Sequence, residues 1–109
     1  MRDNILGGAL TEVMLLILLS LFSESYGYKI QKNIKNKTCG RVNLGMGTLY
    51  GALKNIQNKG WIKESSTEQR RTCYVITNIG KQVVFDEYRR MNELINLIEE
   101  IGGDRYEKI

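Results

Sequence analysis

The feature that most constrains the fold is a heptad seam near the end of the 109-residue chain. Its apolar residues recur at spacings of 4, 3, 4 and 3: Val84, Tyr88, Met91, Ile95 and Ile98, with Leu94, Leu97 and Ile101 beside them. This spacing is typical of a helix that packs along a second helix. Thr77 is a suitable N-cap and Gly102-Gly103 a suitable end, which predicts a helix reaching about Ile101. A three-helix core cannot cover a helix of that length, so the seam favours a homodimer interface over packing within its own domain.

The first apolar run predicts a helix from about Leu6 to Phe22 with more than one apolar face. One stripe has helical spacing and contains Leu6, Leu10, Val13, Met14, Ile17, Leu18 and Leu21. Leu15 and Leu19 widen this stripe and are therefore expected to join the dimer interface. The run is too short to span a membrane, which takes about 20 apolar residues. Asp3 and Glu12 do not fit a signal peptide, so a cytoplasmic protein without membrane contact is predicted.

Two shorter helices are predicted next. Ser25 is a plausible N-cap for a helix from about Gly27 to Lys37, for which Gly40 provides a left-handed end. The following helix is predicted from about Met46 to Lys59 and ends at Gly60.

A β-hairpin is predicted between the third helix and the long last one. Its two strand-like runs are Trp61–Glu64 and Thr72–Ile76. Trp61 is expected to belong to the hairpin core rather than to a ligand site. The polar stretch between the runs contains no apolar residue and predicts a flexible tip that ends in Gln69, Arg70 and Arg71.

Positive charge is concentrated in the middle of the chain. Between Glu24 and Glu64 there are eight basic residues and no acidic one, and residues 25–76 carry a net charge of +8 against +4 for the whole chain. Such a block is expected where a polyanion binds, although a solvated lysine-rich surface is the alternative interpretation.

This order of elements, with its central basic block, predicts a mainly α fold with a small β-hairpin, a winged helix-turn-helix followed by a long C-terminal dimerisation helix. In that motif the second helix of the pair, here the third of the chain, enters the DNA major groove. The expected DNA contacts are Thr48, Tyr50, Gly51, Lys54, Asn55 and Asn58 on this helix, Gln69, Arg70 and Arg71 on the wing, and Lys29 and Tyr26 at the second helix. Lysine and hydroxyl groups suit phosphates, and the asparagines suit base edges.

Several of these residues have a second interpretation. Tyr50 also fits a packing position on the helix flank, and Arg70 and Arg71 also fit a solvated loop. Gly47 and Gly51 either let a bulky partner approach the helix backbone closely or are merely tolerated, at a cost of about 1 kcal/mol each relative to alanine.

Four short motifs together resemble the PadR family of bacterial transcriptional regulators. They are Ser25-Tyr-Gly-Tyr-Lys-Ile30, Gly47-Thr-Leu-Tyr-Gly-Ala-Leu53, Gly60-Trp-Ile62, and Arg71-Thr-Cys-Tyr-Val-Ile-Thr-Asn-Ile-Gly80. The resemblance spans about residues 10 to 101. It implies a homodimeric winged-helix repressor of the small subgroup with a single C-terminal helix, in which Thr48 and Tyr50 contact DNA. Gly51 and Tyr26 depart from the proline and histidine that many relatives have there, which is expected to alter operator preference.

The predicted organisation is a DNA-binding domain over residues 1–76, a dimerisation helix over 77–103 and a tail over 104–109. The expected partners are a pseudo-palindromic double-stranded DNA operator, a second copy of the chain and a small-molecule effector that releases the DNA. The alternative function is a winged-helix module that binds an acidic protein instead of DNA.

Enzyme chemistry is not expected. The chain lacks histidine, and Cys39 and Cys73 have neither zinc spacing nor a catalytic partner in the sequence. We expect no cofactor and no metal, and two reduced cysteines rather than a disulfide.

Overall fold

The computed structural model describes residues 10–108, which form four α-helices and one three-stranded antiparallel sheet. In chain order the elements are α1 (Glu12–Ser20), β1 (Ser25–Tyr26), α2 (Gly27–Lys37), α3 (Met46–Asn58), β2 (Ile62–Glu68), β3 (Arg71–Ile76) and α4 (Asn78–Leu97). The strands lie in the order β1-β3-β2. The predicted fold class, a winged helix-turn-helix with a long C-terminal helix, is confirmed.

One hydrophobic core joins α1, α2 and α3 to the sheet. Its fully buried side chains are Ile17, Leu18, Leu21, Ile30, Leu49, Leu53, Ile56 and Ile62. Trp61 is also buried in this cluster, which confirms its predicted place in the hairpin core. The buried residues Ile30 and Ile34 of α2 and Leu49, Leu53 and Ile56 of α3 pack into this core, which leaves the outer face of α3 in solvent.

The first helix is shorter than the apolar pattern predicted. The side chain of Thr11 accepts a hydrogen bond from the Met14 N–H, so α1 begins at Glu12 and not at Leu6, which lies outside the described residues. At the other end, α1 stops at Ser20 instead of Phe22. The Leu21 N–H bonds to the Leu18 carbonyl in a tighter turn that buries the Leu21 side chain.

The prediction that Ser25 caps α2 is wrong. Ser25 pairs with Tyr74 and Tyr26 pairs with Cys73, so the two residues form a third strand along the edge of β3. Tyr26 is the N-cap residue of α2 instead, and no side chain caps it within the described residues. Periodicity could not show a strand of two residues, because two positions contain no repeat.

The predicted left-handed end at Gly40 is confirmed, and the end predicted at Gly60 is left-handed as well. Gly40 has φ +82° and Gly60 has φ +79°, a backbone region that glycine enters without steric cost. The helix α3 ends at Asn58, with Lys59 as its C-cap, one residue before the predicted end. These two turns fix the connection from α2 to α3 and the direction in which the chain enters the wing.

The wing is a longer and more regular hairpin than predicted. Strands β2 and β3 extend to Glu68 and Arg71, and only Gln69 and Arg70 form the turn, both with positive φ (51° and 65°). Positive φ at both central residues is the geometry that matches the twist of a two-residue hairpin. The predicted flexible tip was therefore too long. The outer part of the hairpin is exposed to solvent, and such a strand lacks the alternation of apolar and polar residues by which strands are recognised.

The wing departs from regular pairing next to Glu64. The register shifts between Glu64 and Ser66, and the Glu24 carboxylate accepts hydrogen bonds from the hydroxyls of Ser65 and Ser66 at this irregularity. These bonds lower the pKa of Glu24. A bulge of this kind bends the strand and increases its twist, so it helps to aim the wing tip.

Thr77 caps α4 as predicted, because its hydroxyl accepts a hydrogen bond from the Gly80 N–H. The α-helix ends at Leu97 and not at Ile101. A π-helical turn, Ile98–Gly102, and a 3₁₀ segment, Gly103–Lys108, follow it. The helical path thus reaches Ile101 through the π-helical turn and stops at the two glycines, as predicted, where Gly103 takes a positive φ of 42°.

The two cysteines lie apart and are not bonded to each other. Cys39 is exposed in the turn after α2, and Cys73 is buried in β3.

Candidate nucleic-acid interface

The helix α3 presents one polar, cation-bearing face to solvent. Its buried residues Leu49, Leu53 and Ile56 hold it on the core. The predicted contact residues of this helix are all exposed: Thr48, Tyr50, Gly51, Lys54, Asn55 and Asn58. The predicted contact residues therefore occupy the outer face and flanks of α3, away from its buried residues.

The start of α3 is open to an anion. Its N-cap is Gly45, and no side chain bonds to the first backbone N–H groups within the described residues. The first turn also contains no acidic residue. Such a helix end has a partial positive charge and unpaired N–H donors, a combination that suits a phosphate group.

A cleft of about 390 Å³ lies between the beginning of α2, the helix α3 and one side of the wing along β3. Hydroxyl and guanidinium groups dominate its lining, which consists of Tyr26, Tyr28, Tyr50, Arg70, Arg71, Thr72 and Tyr74. The fold thus brings together four predicted contact residues from three separate segments. Tyr28 fits the position that the sequence suggests for it, a packing residue with a hydroxyl on the phosphate side. Thr72 and Tyr74 were not predicted as contacts.

Arg71 connects the wing to α2 inside this cleft. Its guanidinium carbon lies 4.4 Å from the centre of the Tyr26 ring, within range of a cation–π interaction. The stacked arginine keeps its N–H donors available for a planar or tetrahedral oxyanion. Arg71 is therefore held in place before any ligand binds.

The position of Tyr50 depends on Gly27. A Cβ atom on Gly27 would lie 2.7 Å from the Tyr50 hydroxyl oxygen and 2.8 Å from its Cζ, so only glycine lets the tyrosine ring rest on the start of α2. Tyr50 is nevertheless half exposed, at 50%. Its two interpretations, packing and contact, are compatible, because one edge of the ring packs while the rest faces solvent.

Tyr74 forms the buried end of the cleft. Burial raises the pKa of its hydroxyl, and the Glu64 carboxylate and the Tyr50 hydroxyl raise it further. The Tyr74 hydroxyl is therefore a neutral hydrogen-bond donor at physiological pH.

The wing tip exposes Gln69 and Arg70, and Arg71 is exposed at the end of β3. Lys29 is exposed on α2. Arg41 differs from these cations because both of its terminal nitrogens bond to the Glu12 carboxylate, which raises the pKa of Arg41 and lowers that of Glu12. The charge of Arg41 is therefore largely neutralised within the domain.

We expect Gly51→Ala to stabilise the free protein but weaken its DNA binding. A Cβ at Gly51 would meet no atom within 4 Å, and alanine is favoured over glycine in a helix by about 1 kcal/mol. The added methyl would stand on the outer face of α3, where close approach to DNA would be hindered. Urea unfolding and fluorescence anisotropy with duplex DNA measure the two effects. A more stable variant with unchanged DNA affinity would show that Gly51 is only tolerated.

A second surface of interest is an apolar groove of about 450 Å³ between α1 and α4. It is lined by Leu15, Leu19, Phe22, Lys81, Val84, Phe85, Tyr88 and Met91. The predicted interface residues Leu15, Leu19, Val84, Tyr88 and Met91 therefore lie together on one face. The remaining ones, Leu94, Ile95, Ile98 and Ile101, are 41–65% exposed further along α4 and its π-helical extension.

Within residues 10–108 no group of side chains has the arrangement of a metal site. No helix in this described part of the chain is long and apolar enough to cross a membrane.

Comparison with known proteins agrees with this geometry. The sequence model of the transcriptional regulator PadR-like family matches residues 15–85, from within α1 to the first half of α4. The chain belongs to this family. Its members are transcriptional regulators and not enzymes, and the resemblance seen in the four sequence motifs is confirmed.

Solved structures of similar proteins show the same architecture. A transcriptional regulator from Clostridium thermocellum is 30% identical, with 92% of this chain and 96% of that chain covered and a TM-score of 0.73. A PadR family transcription regulator from Clostridium difficile is 29% identical, with 85% and 100% covered and a TM-score of 0.69. An uncharacterised protein from Lysinibacillus sphaericus is 28% identical over 106 residues, which are 91% of this chain and 95% of the relative. This PadR-like chain is therefore a DNA-binding transcriptional regulator.

Proposed function

We propose that this PadR-like regulator is a cytoplasmic homodimeric repressor that reads a pseudo-palindromic operator and releases it when a small molecule binds. The observation that carries the DNA-reading part is the cleft in which Tyr26, Tyr50 and Arg71 meet beside the exposed face of α3. Three chain segments contribute hydroxyl or guanidinium groups to one concave site. An arrangement of this kind fits the backbone of one DNA strand while α3 lies in the neighbouring major groove.

The roles within the footprint follow from residue chemistry. The proposed phosphate contacts are Tyr26, Lys29, Thr48, Tyr50, Lys54 and Arg71. Asn55 lies about one helical turn after Gly51, and Asn58 lies about two turns after it. Both are proposed to bond to base edges. Gln69 and Arg70 at the wing tip are proposed to reach the adjacent backbone or minor groove.

The homodimer is supported by the exposure of α4. All residues from Met91 to Ile101 are exposed, and six of them are large apolar side chains: Met91, Leu94, Ile95, Leu97, Ile98 and Ile101. Exposed apolar surface of this extent marks an interaction site. The groove between α1 and α4 continues the same surface, so we propose that α4 of each subunit packs along α4 of its partner and against the partner's α1.

Repression and release would follow from this geometry. Two recognition helices about 34 Å apart would contact half-sites separated by one turn of B-DNA, about 10 base pairs. An apolar effector that binds where the groove meets the partner subunit would change the angle between the winged domains and shift the population away from the DNA-binding state.

Lys54→Ala tests the DNA footprint. We expect weaker binding to all sequences and a decrease of about one unit in the slope of log Kd against log salt concentration, because one phosphate contact is lost. Anisotropy titrations at several salt concentrations measure the slope. Arg105→Ala, which removes one positive charge at the far end of the chain, is the control and should leave the slope unchanged.

An unchanged slope in Lys54→Ala would remove this lysine from the footprint. A different result would be that the wild-type protein fails to bind DNA at every salt concentration tested and binds an acidic protein instead. That result would support the alternative function as a protein-interaction module.

A further inference from the structure

Two close contacts restrain the helix α4 on the winged domain, in addition to the packing of Val83 and Val84 on the core. The first is Gly80, where a Cβ would overlap the backbone carbonyl oxygen of Trp61 and lie 2.7 Å from Cγ1 of Ile76. The second is Glu87, which is only 3% exposed and is one of the few buried polar side chains described. Seven residues separate the two places, about two helical turns or roughly 10 Å. Together they fix both the position and the direction of α4.

The Glu87 carboxylate connects α4 to the start of α1. Its Oε2 accepts a hydrogen bond of 3.3 Å from the Leu10 backbone N–H, directly before the residue that caps α1. Arg90 donates to the same carboxylate twice, from Nε to Oε1 at 2.9 Å and from Nη2 to Oε2 at 2.7 Å. A buried ion pair adds little stability over an apolar contact, but its hydrogen bonds are directional. Glu87 therefore restrains orientation more than it adds burial.

The part of α4 beyond Glu87 projects from the winged domain. A small change of its angle at Glu87, here called the joint, becomes a larger displacement at the far end of the helix. From Glu87 to Leu97 the helix α4 extends by ten residues, about 15 Å, and the π-helical turn Ile98–Gly102 continues it. The proposed dimer seam lies on this projecting part. A tilt of α4 at Glu87 would therefore move one winged domain relative to the other by much more than the change at the joint itself.

We propose that Glu87 is a positioning residue that sets the separation of the two recognition helices, and with it the half-site spacing that the dimer accepts. The proposal rests on the proposed operator-binding dimer. Adding one base pair between half-sites rotates them by about 35° relative to each other. A dimer with a rigid joint accepts one spacing, whereas a dimer with a loosened joint accepts several.

Glu87→Gln tests this role in the full-length protein, because it keeps the side-chain shape but removes the charge that holds Arg90. Asp86→Asn is the matched control: it removes a carboxylate charge from the same helical turn, where Asp86 accepts a hydrogen bond from Gln82 and none from α1 is recorded among the described residues. Affinities are measured for duplexes with one half-site and for duplexes with two half-sites at a series of spacings.

The wild type and Asp86→Asn should share one preferred spacing, with a preference over neighbouring spacings of about tenfold, the factor that corresponds to 1.4 kcal/mol. In Glu87→Gln this preference should fall at least about threefold. Affinity for a single half-site and dimer dissociation should stay at the wild-type level. A purely structural role of Glu87 would lower all affinities together and leave the spacing preference unchanged.

Wild-type spacing preference in folded Glu87→Gln would overturn the proposal. Leu10→Pro is the second variant, because it removes the donor N–H and keeps the charges of Glu87 and Arg90. If Glu87→Gln does not fold at the assay temperature, a wild-type spacing preference in Leu10→Pro would overturn the proposal. A wild-type protein that is monomeric or does not bind DNA would instead contradict the proposed function itself, and that outcome is distinguishable because it appears before any variant is compared.

Discussion

Met91→Asp is expected to convert the protein to monomers and to weaken operator binding by at least about a hundredfold. Met91 lies where the apolar groove passes into the exposed part of α4, and it is 42% exposed in the single chain. In the proposed dimer, two symmetric aspartates would each be buried in an apolar seam without a partner. Such unpaired charges cost several kcal/mol, and each 1.4 kcal/mol is a factor of ten in affinity. Sedimentation velocity measures the mass, and anisotropy measures the DNA affinity.

The matched control is Asn96→Asp, which introduces the same charge in the same helix. Asn96 is exposed and points away from the seam at 3.6 residues per turn, so this variant should remain dimeric and bind the operator normally. A dimeric Met91→Asp protein would place the interface elsewhere on the chain.

Gly80→Ala is expected to destabilise the fold by about 2–3 kcal/mol, in spite of the better helix propensity of alanine. The new Cβ would overlap the Trp61 carbonyl oxygen, which belongs to the backbone and accepts the hydrogen bond from the Thr77 N–H at 2.9 Å. Neither group can move without shifting α4 or the wing. Urea unfolding followed by Trp61 fluorescence measures the change, at one protein concentration because dimerisation contributes to stability.

Gly51→Ala is the natural control for this variant, since it makes the same substitution in a helix where no atom lies within 4 Å of the added Cβ. The two substitutions should therefore change stability in opposite directions. Equal stability of Gly80→Ala and wild type would show that α4 can move away from the wing base without loss.

The order of helices and the hairpin could be predicted from the sequence because each carries a local signal. The glycine ends of the second and third helices, at Gly40 and Gly60, and the Thr77 cap depend on a few adjacent residues. Short-range chemistry determines these features, and one sequence displays it directly.

Other features depend on contacts between distant segments and gave no local signal. The strand β1 exists only because the edge of β3 offers backbone partners to Ser25 and Tyr26. The extension of the wing to Glu68 depends on pairing across a turn with two positive φ angles at residues that are not glycine. In the sequence, Glu87 is an ordinary polar residue of an amphipathic helix. In the structure it is buried and accepts hydrogen bonds from the Leu10 N–H and from Arg90.

Some residues of the candidate site could likewise be predicted from the sequence, and others could not. The residues of α3 were predictable because a helix in a winged helix-turn-helix has a known outer face. The contribution of Tyr74 to the cleft could not be predicted, because it requires β3 of the wing to pack beside the start of α2. The role of Gly27 was also hidden, since the need for glycine comes from the Tyr50 ring 23 positions later.

The most direct test of the central claim is selection of binding sites from random duplex DNA by the purified protein at about 150 mM salt, a physiological ionic strength. A sequence-reading dimer should enrich an inverted repeat whose half-site centres lie about 10 base pairs apart. The account would be contradicted if no sequence were enriched and the protein bound DNA only weakly, with binding that disappears as the salt concentration increases.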